Sequence, residues 1–200
     1  MELAEILRLD YPVSDETIED ILKVSEIRVV PKNTSVVTQG ERCYFMVFIL
    51  DGLARLGFVE NGKEETWAFG TTGDPFLAVE TLMRNEPSRY TMSTLTRSKL
   101  LLIPFSALRR LTAKHTDFLH WQHHVLLEQV YYFAYRQEFI RSGDALERYT
   151  RFMQLRQDEQ ASKIPLKYVA QYLKMAPETI SRLRKRLETE AADKEEKQQP

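Results

Sequence analysis

The sequence predicts an α+β chain, with a β-sandwich or barrel first, one long helix next and a small all-α unit last. Three observations carry this. Between about Ile27 and Pro104 the chain is rich in Val, Phe, Ile, Thr and Tyr and is cut at short intervals by turn residues. From Thr116 onward apolar residues recur at every seventh position. After Gly143 two short helical patterns follow one another across a tight break. Lys+Arg total 28 against 29 Asp+Glu, which argues against a chain that coats polyanions generally and leaves room for a local basic face. Cys43 is the single cysteine, so an intrachain disulfide and a multi-cysteine iron–sulfur cluster are both excluded. The N-terminus has no basic leader followed by an apolar core, and no run approaches the roughly 20 apolar residues that span a bilayer. The expectation is a reduced, cytoplasmic protein with no membrane partner.

The elements follow in order. Residues 14–22, "SDETIEDIL", read as a capped helix with Ser14 or Asp15 at the N-cap and acids in the first turn. The strands after it are separated at Pro31-Lys32-Asn33, Gln39-Gly40, Asp51-Gly52, Asn61-Gly62 and Gly73-Asp74. Asn61-Gly62 is the strongest hairpin signal, because both residues tolerate positive φ. "RYTMSTLTRSKLLLIP" supplies two more strands and ends the β part at Pro104. "SALRRL" is a short helix, and Thr116 caps a long one over about residues 116–141.

On that long helix Leu119, Leu126, Phe133 and Ile140 stand seven apart, with His123, Val130 and Gln137 between them. This is an a/d seam of about three heptads. Aromatics occupy its other faces (Trp121, Tyr131, Tyr132, Tyr135, Phe139). One face therefore suits the sandwich and the seam suits a second copy, so a homodimer is expected. The plainer alternative is an amphipathic helix lying only on its own β domain. Ser142-Gly143-Asp144 breaks the helix and sets the expected domain boundary, 1–142 and 143–200. Residues 188–200 are polar, acid-rich and without apolar periodicity, which predicts a frayed or disordered tail.

Within "IPLKYVAQYLKMAPETISRLRKRL", Leu166, Val169, Ala170 and Leu173 form one buried stripe and Ile180, Leu183 and Leu187 another. Pro177 suits the first turn of the second helix, and the small Ala170 lets the two helices cross closely. Glu178, Ser181, Arg182 and Lys185 then point away from the stripe, with Arg184 and Arg186 on its flanks. A recognition helix needs this arrangement, with outward groups meeting base edges in the major groove and flanking arginines holding phosphates. Arg182 suits guanine O6 and N7, and Glu178 suits a cytosine amino group. Thr179 and Lys174 complete the expected DNA-binding set. The alternative is a solvated charged face.

With these pieces in order, the chain resembles the Crp/Fnr family of bacterial transcription regulators over nearly its whole length. "VPKNTSVVTQGERCYFMVFILDGLARL" is similar to that family's opening strands, "GTTGDPFLAVETLM" with "PSRYTMSTLTRSKLLLI" to its phosphate cassette and closing strands, and "YVAQYLKMAPETISRLRKRL" to its reading head. The resemblance implies a double-stranded β-helix or jelly-roll sensor of the cyclic-nucleotide-binding type, a dimerisation helix and a C-terminal helix-turn-helix domain. It also implies a DNA operator and RNA polymerase as partners, and a small effector in the roll, around Glu80, Ser88, Arg89 and Thr91.

The chain departs from the family pattern in three respects: the nucleotide contacts, the helix-turn-helix turn and the wing. Where cyclic-nucleotide-responsive members carry a Gly-Glu pair for the ribose, Leu77 and Ala78 stand. Where they carry Arg-Ser for the phosphate, the order is reversed as Ser88-Arg89. Lys174 occupies a turn position often filled by Gly, and the acid-rich stretch after Leu187 predicts an absent or reduced wing.

His120 and His124 stand at i, i+4 without a convincing third ligand, so no metal is expected. Cys43 reads as a buried thiol. No nucleophile–base pair, P-loop or paired catalytic carboxylates occur, so neither enzymatic residues nor a cofactor are expected. The leading expectation is a dimeric, sequence-specific DNA-binding regulator sensing an effector other than cyclic AMP. The alternatives are a ligand-binding or protein-interaction module that has lost DNA binding, and a cyclic-nucleotide receptor with rearranged phosphate contacts.

Overall fold

The apolar stretch resolves into eight strands: β1 (Glu26–Val30), β2 (Ser35–Val37), β3 (Phe45–Asp51), β4 (Ala54–Glu60), β5 (Lys63–Gly70), β6 (Pro75–Phe76), β7 (Thr91–Thr94) and β8 (Ser98–Pro104). They pair antiparallel into two four-stranded sheets, ordered β1-β8-β3-β6 and β2-β7-β4-β5. This is the β-roll expected from the sequence. The computed structural model describes residues 3–8, 11–141, 143–155 and 161–196, and the chain divides into the units Met1–Phe133 and Ala134–Pro200.

In the first unit, β3 and β8 read as unbroken apolar runs because both of their faces are covered. Val47, Ile49, Leu100 and Leu102 point between the sheets, where they meet Met92, Phe76 and Val37. Met46, Phe48, Leu50, Leu101 and Ile103 point the other way, onto helices α1 (Leu3–Leu7), α2 (Asp15–Val24), α4 (Phe105–Lys114) and the start of α5 (Thr116–Arg141). There Phe118 and Trp121 are fully buried and stacked, with ring centroids 5.6 Å apart. At the β4–β5 turn, Asn61 and Gly62 both have positive φ (51° and 74°) and Glu60 pairs with Lys63, as a two-residue hairpin requires. Helix α3 (Val79–Arg84) lies in the cassette region and α1 near the N-terminus; periodicity marked neither, because both are too short to repeat.

Two carboxylates fasten α2 to the joint between α4 and α5. Ser14 caps α2 as expected, its hydroxyl accepting from the Thr17 N–H. Asp117 accepts from the Ser14 N–H at 2.8 Å and from the Thr17 hydroxyl. Burial pushes its carboxyl up, but hydrogen bonds from Ser14, Thr17 and the Phe118 N–H together outweigh that and hold it at about 2. Asp20 takes hydrogen bonds from Lys114, Lys23 and the buried His115, which hold it well below the ordinary carboxylate range.

In the second unit, the end of α5 packs with α6 (Ala145–Leu155), a 3-10 turn (Ala161–Lys163), α7 (Leu166–Leu173) and α8 (Pro177–Glu196). The division falls inside α5, earlier than the expected boundary at residue 143. The reason is Arg136, whose guanidinium lies 4.6 Å from the Tyr172 ring centroid and donates to the Tyr172 carbonyl, tying this part of α5 to α7. Phe152, Ile164, Val169, Ala170, Leu173 and Ile180 complete a small core. No strand occurs among the described residues of this unit. Helix α8 continues to Glu196, past Leu187 where a frayed or disordered tail was expected, since Ala191, Ala192 and the flanking Glu188, Glu190, Lys194, Glu195 and Glu196 are good helix formers. Ser142 and residues 197–200 lie outside the described residues, as does the Phe139 side chain.

The connection from α7 to α8 is a Schellman-type stop. Lys174 is left-handed (φ 55°, ψ 50°), its N–H donating to the Gln171 carbonyl and the Met175 N–H to that of Ala170. Pro177 then opens α8, with Ala176 supplying the first carbonyl to the Thr179 and Ile180 amides.

Two outcomes are expected. Asp20 and Asp117 lie below their unfolded-state values, so the stability they lend is present above about pH 4 and lost as pH falls through the native values. Urea midpoints followed by circular dichroism should therefore drop steeply below about pH 4, and Asp117→Asn should flatten that drop. Lys174→Gly should raise the thermal stability of the second unit by up to about 1 kcal/mol, because Gly adopts this conformation without a Cβ clash.

Candidate functional site

The second unit presents one cationic helix face. Ile180 is fully buried against α7, and Leu183 and Leu187 are half-buried. Once that stripe is fixed, the 100° step per residue turns Glu178, Ser181, Arg182 and Lys185 outward, and all four are exposed, as are Lys174, Arg184 and Arg186. Thr179 is half-buried. Five cations, Lys174, Arg182, Arg184, Lys185 and Arg186, on a surface already held by a rigid turn can bind phosphates without a large ordering cost.

On α5 the predicted seam separates into two sets. Leu119, Leu126 and Val130 are 47, 60 and 57% exposed, joined by exposed His123, Leu127 and Tyr131. Phe133 turns instead to the roll, its ring 5.8 Å from that of Trp67. An α-helix of 3.6 residues per turn drifts about 20° per heptad from a strict sevenfold repeat, so Phe133 has rotated out of line with Leu119. In the second unit Gln137 is exposed and Ile140 half-buried.

Of the expected effector residues, Ser88 and Arg89 line one hollow, whose lining does not include Glu80 or Thr91. The Ser88 hydroxyl is committed to Tyr90, donating to its carbonyl at 2.9 Å and accepting from its N–H. The Thr91 hydroxyl accepts from the Gln39 N–H. Glu80 and Arg89 face one another at 3.8 Å, with the Arg89 side chain 72% exposed. Leu77 and the fully buried Ala78 offer a ribose no acceptor side chain. These residues do not fit a cyclic nucleotide held in the family manner.

A hollow of about 420 Å³ opens beside them, lined by Gln39, Gly40, Phe58, Val59, Glu60, Trp67, Ser88, Arg89 and Tyr90. Its walls are aromatic. The Phe58 and Tyr90 rings stand edge to face at 5.8 Å, and Trp67 lies 5.7 Å from Tyr90. The register slips between Leu56 and Gly57, which pair with Ala68 and Thr66, so Trp67 is the extra residue of a β-bulge. Bulges re-aim side chains in this way. Beneath it Arg55, 6% exposed, donates to Thr66, Glu64 and the Glu65 carbonyl. A Cβ at Gly57 would come within 2.5 Å of that guanidinium, so only glycine leaves it room. Phe58, Trp67 and Tyr90 were not anticipated from sequence, since a bulge leaves no mark in residue type.

Other candidates resolve simply. Tyr11 stacks on His120 and leans on His124, and neither histidine joins a cluster of potential metal ligands among the described residues. Glu16, Asp20 and His115 do cluster, but the Lys114 ammonium already sits on both carboxylates. Cys43 is buried, burial pushes its thiol up, and its sulfur donates to the Phe45 carbonyl. No helix among the described residues is long and apolar enough to cross a membrane.

Residues 27–115 match the family described as Cyclic nucleotide-binding domain. No curated protein is similar enough to count as a match. Among solved structures, the c-di-GMP-responsive global regulator CLP of Xanthomonas campestris is 16% identical, with 89% of this chain and 93% of that one covered at a TM-score of 0.71. FixK2 of Bradyrhizobium japonicum is 17% identical over 84% of this chain and 86% of its own, at 0.72. A Crp/Fnr-family transcriptional regulator from Eubacterium rectale is 17% identical over 89% and 85%, at 0.68. Residues 27–115 are thus similar to the cyclic nucleotide-binding domain family, and the chain shares its fold with solved regulators, one of them of the Crp/Fnr family.

Proposed function

We propose that the chain is a dimeric, sequence-specific DNA-binding regulator whose β-roll senses a small effector other than a cyclic nucleotide. The observation that carries this reading is the exposed row Arg182 and Lys185 on a helix whose start is fixed by the Lys174 turn and the buried Ile180. As a helix-turn-helix, α7 and α8 would present Arg182 and Glu178 to base edges and Lys174, Arg184, Lys185 and Arg186 to phosphates. Two copies joined through Leu119, Leu126 and Val130 would set two such helices about 34 Å apart on a two-fold-symmetric operator. An effector would act by favouring one of two arrangements of the heads about the division inside α5, in place of the hinge near Gly143 expected from sequence. RNA polymerase is the further partner this family resemblance implies.

A second reading, a protein-interaction module without DNA affinity, draws on the acid-rich continuation of α8 to Glu196. Fluorescence anisotropy with duplexes selected from a random pool separates the two. The regulator binds with steep salt dependence. Arg182→Ala costs about 1–3 kcal/mol and relaxes preference at one base pair, and Lys185→Ala lowers the salt slope by about 1. Binding that survives Arg182→Glu with Lys185→Glu would remove α8 as the reading helix, and absence of affinity at low salt would favour the interaction module.

Sedimentation velocity checks the dimer, which should dissociate to monomer on Leu126→Asp with Val130→Asp. Calorimetry with cyclic AMP and cyclic GMP should give no binding heat; heat that Arg89→Gln abolishes would restore the cyclic-nucleotide receptor.

A further inference from the structure

We propose that the hollow between the β4–β5 hairpin and residues 88–90 binds a planar aromatic carboxylate, its ring against Phe58, Trp67 and Tyr90 and its anionic group on Arg89. This rests on the reading of the roll as the sensor of an unidentified small molecule, and it names the chemistry of that molecule. The volume of about 420 Å³ falls within the range of about 300–1,000 Å³ common for small-ligand pockets. Three ring centroids separated by 5.7 and 5.8 Å give a flat ligand faces and edges to lie against.

The walls are held from outside the hollow. Phe133 of α5 backs Trp67 at 5.8 Å. The bulge that projects Trp67 is pinned by the Arg55 guanidinium, which ties β4 to Thr66, Glu64 and the Glu65 carbonyl. The Gln39 side chain clamps the far side, donating to the Val59 carbonyl at 3.1 Å and accepting from its N–H at 2.7 Å. A site preformed in this way loses little conformational freedom when a ligand enters.

Charge selects the class. Arg89 lines the hollow, and its approach to Glu80 at 3.8 Å is too long for a hydrogen bond, so its fork of donors remains available to a carboxylate. Ser88 lines the same hollow with its hydroxyl already engaged, so one cation and no hydroxyl donor from Ser88 greet the anion. Glu60 also lines the hollow and disfavours a second negative charge. A monoanionic aromatic acid satisfies all three conditions, whereas a saturated acid forgoes the rings and a neutral arene forgoes Arg89.

Isothermal titration of the full chain with 2-naphthoate, 2-naphthalenemethanol and cyclohexanecarboxylate tests this. The expected result is binding of 2-naphthoate at least about tenfold tighter than of either other probe. Arg89→Gln, an exposed change that leaves the fold intact by circular dichroism, should weaken 2-naphthoate about tenfold or more while hardly moving the alcohol. Trp67→Leu should weaken both aromatic probes.

Equal affinity for acid and alcohol, indifference to Arg89→Gln, or no 2-naphthoate binding up to about 10 mM overturns the assignment. Binding of 2-naphthoate that leaves duplex affinity unchanged supports the site and removes the sensor reading. Loss of duplex binding in the unliganded chain, with 2-naphthoate still bound, removes the regulator and leaves the site standing.

Discussion

The molecule depends first on the need of β3 and β8 to bury both faces. Their runs "FMVFIL" and "LLLI" have no polar side, so covering one face with the second sheet leaves Phe48, Leu101 and Ile103 still to be buried. Each such side chain contributes about 1.5–3 kcal/mol when fully buried, which draws α1, α2, α4 and the first turns of α5 onto that sheet. Among the described residues of the first unit, no comparable helical layer packs on the opposite sheet, β2-β7-β4-β5, at its hairpin end. The unfilled volume therefore lies there, between Phe58, Trp67 and Tyr90.

Polar contacts within this arrangement fix position more than they add stability. Asp117 and Asp20 orient α2 on the α4–α5 joint through short-range bonds to Ser14, Thr17, Lys114 and His115. Since α5 begins at that joint, the placement of its first turns against the roll is set by the same groups. Its exposed Leu126 and Val130 are thereby held on an outer surface, and Phe133 is delivered to Trp67.

Much of this was legible in the residues, and the exceptions share a cause. The strand breaks and the Asn61-Gly62 hairpin follow from composition and turn chemistry, both local properties, whereas the order of strands in the two sheets does not. Of the two stripes that helical period predicts, Val169, Ala170, Leu173 and Ile180 are buried, while Leu166, Leu183 and Leu187 are half-buried. Tyr172 escaped because it lies off those stripes and is covered by Phe152 and Arg136, neighbours distant in sequence. Trp67 escaped because its position depends on a bulge, and Phe133 because sevenfold spacing on a straight helix drifts out of register. The hydroxyls of Ser88 and Thr91 suit a ligand by type, yet Ser88 is engaged locally by Tyr90 and Thr91 by the sequence-distant Gln39.

On the proposed reading, the charge order along α8 decides which part of it meets DNA. The cations Arg182, Arg184, Lys185 and Arg186 precede Glu188, Glu190, Asp193, Glu195 and Glu196 in sequence. At 1.5 Å per residue, Glu190 stands about 12 Å along the axis from Arg182, beyond the screening length of about 8 Å at physiological ionic strength. The acids from Glu190 onward therefore leave Arg182 uncancelled in ordinary buffer, whereas Glu188, about 4.5 Å along the axis from Lys185, offsets the later cations and would repel phosphates approaching the far end of the helix. Contact is confined to the first turns, next to the rigid Lys174 connection. At low salt the screening length grows to about 30 Å, and the same acids then oppose non-specific binding along the whole helix, a bias toward sites that Arg182 and Glu178 can read.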